Sequence, residues 1–166
     1  MDIHPLVIHF PIALLTLYSG LEIFKRFTKA EHWWNTRAVL VIAGTLSAFG
    51  GLSSGEGAEH LFNDPALHDV LEAHSLAATI ATWIFAILGA CYLVIWLNRH
   101  INLTKKLPLS QSILTIAQKI LGGLGAPLLA ILGFLSLSLT GALGAILVYG
   151  PEFDPITSLV YKLLFG

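Results

Sequence analysis

The sequence predicts an all-α membrane protein, a four-helix transmembrane bundle with short interfacial helices, folded as one domain over residues 1–166. Three observations predict it. Hydrophobic residues make up 55% of the chain and charged residues only 11%, with a mean hydropathy of +0.78. A soluble domain of this size could not hide so much apolar surface from water. Four apolar runs, about residues 5–24, 38–54, 70–97 and 122–149, are long enough or nearly so to cross ~30 Å of hydrocarbon at ~1.5 Å per helical residue. Basic residues also segregate between the runs, as a membrane topology requires.

The first run opens Met-Asp-Ile-His, with neither a basic leader nor a small-residue cleavage site. It therefore reads as an uncleaved span and not as a signal peptide. Lys25, Arg26, Lys29 and Arg37 follow it, and Arg99, Lys105 and Lys106 follow span three, whereas residues 55–69 hold no Lys or Arg. The positive-inside rule then puts both basic loops in the cytoplasm and both termini outside. Trp33, Trp34 and Trp96 fall at the inner interface, where amphipathic rings are favoured. Span two is short and contains glycine, so its outer end is expected to lie against protein instead of lipid.

Cys91 is the one cysteine, which rules out an intramolecular disulfide and suggests a small packing residue near the inner end of span three. Residues 107–121 are only weakly apolar and read as an inner interfacial helix or the tilted start of span four. Span four carries Gly122, Gly123, Gly125, Gly133, Gly141 and Gly144. Such residues let backbones approach closely in lipid, so Gly133, Gly141 and Gly144 are expected to face neighbouring helices. Residues 155–166 place Ile156, Leu159, Val160 and Leu163 at helical spacing, which suits a short outer interfacial helix.

Function is signalled by where the ionisable groups fall. Five of the seven histidines (His4, His9, His60, His68, His74) and eight of the ten carboxylates lie on the predicted outer side. His9 sits inside a run broken only by Glu22, and an ionisable group at membrane depth marks a functional site by default. His4 and His9 are about 140° apart around a helix. Pro5 favours an extended residue before it, so the expectation is that His4 stays at the interface and His9 points into the bundle.

The opening His4-Pro5-Leu6-Val7-Ile8-His9-Phe10-Pro11-Ile12-Ala13-Leu14-Leu15 closely resembles the start of the bacterial membrane proteins grouped as the domain of unknown function 2231 family. The closing run from Thr140 to Gly150, the four-span length and a histidine-bearing outer loop look like the same family. Members often carry a histidine and a Gly-Gly pair in the closing motif, where this chain has Ala142 and Gly144-Ala145. The resemblance implies a multi-pass protein of the bacterial cytoplasmic membrane. Because some members are fused to Rieske or cytochrome domains, it also implies a redox setting.

Two site chemistries use the outer groups. Haem b needs two axial imidazoles from facing helices, and His9 with His74 is the pair expected to supply them; no C-x-x-C-H is present for covalent attachment. Alternatively His4, Glu56, Glu59, His60, His68 and Glu72 form a non-haem site, since imidazole with carboxylate suits iron, copper or zinc. Glu56 shares a helical face with Glu59 and His60 if span two continues outward, and His68 shares one with Glu72. The leading expectation is a haem b electron carrier whose partners are the lipid bilayer, a quinone, and a membrane or periplasmic redox protein, with no nucleic acid. A cofactor-free scaffold subunit is the third class.

Overall fold

The computed structural model describes residues 4–26, 32–59, 65–101 and 110–166, and among these it is helical with no strand. The helices are α1 (His4–Ile23), α2 (Trp34–Glu59), α3 (His68–Ile101), α4 (Ser110–Gly122), α5 (Gly125–Tyr149) and α6 (Pro155–Phe165), with 3-10 turns at Phe24–Arg26 and Pro65–Leu67. Four of them, α1, α2, α3 and α5, are long and apolar enough to cross a membrane. The 34 residues of α3 exceed what the hydrocarbon core needs at ~1.5 Å each, so its ends project beyond it.

The four long helices pack in a ring, α1 on α2, α2 on α3, α3 on α5 and α5 on α1, so α1 and α3 face each other across the diagonal. Leu15, Tyr18, Val41, Phe85, Leu88, Ala126 and Ala130 fill the centre. In lipid this packing is held by van der Waals fit, because the tails outside are as apolar as the side chains inside. The fit is closest at two glycines. A Cβ on Gly44 would lie 2.6 Å from Leu15 Cδ2, and one on Gly133 would lie 2.8 Å from Phe85 Cζ. Polar groups add to it: Ser136 Oγ on α5 donates to the Ala77 carbonyl on α3 at 2.9 Å, a cross-helix bond worth roughly 0.6 kcal/mol in a membrane bundle.

Element limits differ from the sequence expectation in three places. Helix α2 runs unbroken to Glu59 through Gly50, Gly51, Gly55 and Gly57, because its outer end packs on α1 and does not face lipid alone. Span four begins at Gly125, not at 122, since the chain bends at Gly123 and Leu124 and leaves α4 as a separate helix. That helix lies against the C-terminal part of α3 through Cys91, Ile95, Leu114 and Ala117. Gly141 is exposed with nothing within 4 Å of a Cβ, which corrects the expectation that it faces a neighbouring helix.

Helix α6 forms as expected. Asp154 accepts hydrogen bonds from the backbone N–H groups of Ile156 and Thr157, and Thr157 Oγ1 accepts from the Asp154 N–H, a reciprocal cap. Its packed side, Val160, Tyr161 and Phe165, covers Val70, Leu143 and Ile146 near the start of α3 and the end of α5. Ile156, Leu159 and Leu163 stay exposed and continue the apolar belt of the spans.

Candidate functional site

The first residue of α1 and the seventh of α3 bring two imidazoles to the same end of the bundle. His4 Nδ1 lies 2.8 Å from Ser54 Oγ on α2. That hydroxyl already donates its one proton to the Gly51 carbonyl at 2.9 Å, so towards His4 it accepts and Nδ1 donates. His74 Nδ1 lies 2.9 Å from the Thr140 carbonyl on α5, which can only accept. The carbonyl assigns Nδ1–H to His74, and Nδ1 of His4 is engaged by the Ser54 hydroxyl. A hydrogen bond of this kind on the remote nitrogen is the usual way a ligating histidine is oriented.

The two rings are half-buried and within electrostatic reach of each other. Glycine lets each lie close to a neighbouring helix. A Cβ on Gly55 would come within 3.2 Å of His4 Cε1, and a Cβ on Gly144 within 3.2 Å of His74 Cε1. The hydrogen bonds run on behind His74: Thr140 Oγ1 donates to the Ser136 carbonyl, and Ser136 to Ala77. The seat of His74 is therefore tied to both α3 and α5.

The expected roles of the span-one histidines are reversed. The helix already includes His4, so the residue before Pro5 is helical and not extended. The helical rotation from His4 then carries His9 to the exposed surface. Of the expected haem pair, His74 is in the bundle and His9 is not directed into it. Of the expected non-haem set, Glu56 is exposed, and His68 and Glu72 form a surface pair at 3.8 Å with relative exposures of 66% and 70%. The side chain of Glu59 and all of His60 lie outside the described residues. Among the described residues no three His, Cys, Asp or Glu side chains come together as a metal-binding group.

At the opposite end lies a polar cluster that sequence reasoning did not identify. Glu22 is wholly buried. Its Oε1 accepts from Lys25 Nζ, and its Oε2 accepts from the Tyr92 hydroxyl at 2.7 Å and lies 3.6 Å from Arg37 Nη1. Lys25 also donates to the Leu121 carbonyl at 2.9 Å, satisfying one of the orphan acceptors at the end of α4. Burying a carboxylate is costly unless it is paired and hydrogen-bonded. Here the 3-10 turn after α1, the start of α2 and α3 each contribute a partner. The one signal in the sequence was a lone carboxylate within an apolar run.

Comparison of the chain with protein-family models, with curated proteins and with solved structures gave no match.

Proposed function

We propose that this four-span membrane protein carries electrons through a haem b held at its outer end by His4 and His74. The observation that carries the reading is the placement of these two imidazoles at one end of the bundle, on diagonally opposed helices, each with Nδ1 engaged by a fixed group on a neighbouring helix. Haem brings four equatorial nitrogens of its own and asks the protein for two axial ligands. A non-haem ion asks for three or more protein groups, and the described residues do not assemble them. Bound haem would supply a one-electron ferric–ferrous couple. The protein's part is to orient the rings through Ser54 and the Thr140 carbonyl, to keep the site between helices, and to set its surroundings.

The donor in this reading is a quinone or another membrane component, and the acceptor a redox protein on the outer side. The segregation of Lys and Arg supports a bacterial cytoplasmic-membrane location with both termini outside. The resemblance of the opening and closing runs to the domain of unknown function 2231 family, with its redox fusions, supports the same setting. An absorption spectrum of the purified protein with parallel metal analysis tests it. A Soret band is expected. Bound iron, copper or zinc without a Soret band would transfer the site to non-haem metal chemistry, and neither would leave a cofactor-free scaffold.

A further inference from the structure

The end of the bundle opposite the histidines has a charge character of its own. Among the described residues its charges are Lys25, Arg37, Arg99 and Lys119 against the single carboxylate of Glu22; Lys25 and Arg37 pair with Glu22 in the interior, and Arg99 and Lys119 are exposed. At the histidine end the described charges are Glu56, Asp69, Glu72, Glu152 and Asp154 against Lys162. Only the former suits an anion. Three tryptophans lie there too, with Trp33 and Trp96 exposed by 48% and 41%, at the level where indole rings meet headgroups.

One basic residue there is held in place. The guanidinium carbon of Arg99, an exposed residue near the end of α3, lies 4.1 Å from the ring centroid of Trp34 at the start of α2. Trp34 in turn packs against Tyr92, 5.6 Å between ring centroids, and the Tyr92 hydroxyl is bonded to Glu22. Arg99 thus lies over a ring that itself packs against a buried cluster. Stacking uses the face of a guanidinium and leaves its N–H edge for an acceptor, and that edge matches the two oxygens of a phosphate. Pre-ordering the side chain removes part of the entropy cost of binding.

We propose that Arg99, stacked on Trp34, anchors the phosphate of an acidic phospholipid in the leaflet at the Lys/Arg-rich end, between the ends of α2 and α3. The acyl chains of that lipid run along the apolar belt, where Val39, Leu46 and Leu93 are exposed. Lipid is favoured over free phosphate because the anchor adjoins this belt, so one molecule satisfies both the guanidinium and the apolar surface. Basic sites between helix ends are a recurrent mode of headgroup recognition.

The test is quenching of tryptophan fluorescence in vesicles of zwitterionic phosphatidylcholine that contain a small fraction of brominated phosphatidylglycerol or brominated phosphatidylcholine. Half-maximal quenching of the wild-type protein is expected at a phosphatidylglycerol fraction lower by roughly fivefold, the factor expected for one basic side chain at the surface. Arg99→Gln should abolish the difference, Arg99→Lys should fail to restore it fully because Lys lacks the planar edge, and Lys119→Gln should leave it unchanged. Circular dichroism confirms that each variant is folded. Equal quenching of the wild type by both lipids would overturn the proposal, as would equal losses in Arg99→Gln and Lys119→Gln, which indicate diffuse surface charge only. Relief of quenching by millimolar inorganic phosphate would reassign the site to the free anion and overturn the lipid assignment.

Discussion

His74 rests its imidazole against Gly144: a Cβ there would come within 3.2 Å of His74 Cε1, while the ring's Nδ1 donates to the Thr140 carbonyl one helical turn away. Ring and backbone are matched, so the position of one fixes the other. Gly144→Ala should displace the imidazole by a few tenths of an ångström without unfolding the bundle, at a cost of about 1 kcal/mol. Haem titration of the purified variant should show weaker binding than wild type. Unchanged affinity would mean that the seat of His74 is not what orders the site.

Gly133 and Gly141 separate packing from mere composition. Gly133→Ala drives a methyl group into Phe85 and should lower stability in detergent by about 1–3 kcal/mol. Gly141→Ala meets open space and should be neutral or slightly stabilising, since Ala is the better helix former. Thermal unfolding of the two variants side by side checks this. Equal losses would place Gly141 at an interface.

The four spans were legible because run length and composition suffice to identify them. The rotation of each helix was not. Gly133, Gly141 and Gly144 in span four proved to have three environments, the Phe85 ring, open surface and the His74 ring, because a glycine's presence alone does not say which side of a helix meets a neighbour. Pro5 was ambiguous for a related reason, since proline disfavours helix before it yet suits the first helical turn. The helix begins at His4, and that one-residue choice exchanged the roles of His4 and His9. Two of the partners of Glu22, Arg37 and Tyr92, come from other helices and depend on how the bundle closes, which no local pattern encodes.

Removing the carboxylate of that cluster should be severe. Glu22→Leu leaves the charges of Lys25 and Arg37 in a buried site without their shared counter-ion, and should cost about 3–5 kcal/mol. Tyr92→Phe removes one hydrogen bond and should cost about 1–2 kcal/mol. In a double-mutant cycle measured by detergent unfolding, the two losses should be less than additive, because both act on one carboxylate. Full additivity would mean that Tyr92 and Glu22 contribute independently.

The proposed orientation rests on the segregation of Lys and Arg and is open to a direct check. A small accessibility tag in the loop at residues 60–64 should be labelled from outside intact cells, and one beside Lys29 should not. Labelling beside Lys29 from outside would invert the protein and place the histidine end in the cytoplasm.

The most direct measurement is the absorption spectrum of the haem-reconstituted protein carrying single histidine changes. His4→Ala and His74→Ala should each abolish the Soret band of the bound form or convert it to that of a five-coordinate haem, and the double variant should bind none, since the two imidazoles act as a pair. His9→Ala, at the exposed surface, should leave the band unchanged. A wild-type protein that binds no haem, or a band lost with His9→Ala and retained with His4→Ala, would contradict the assignment.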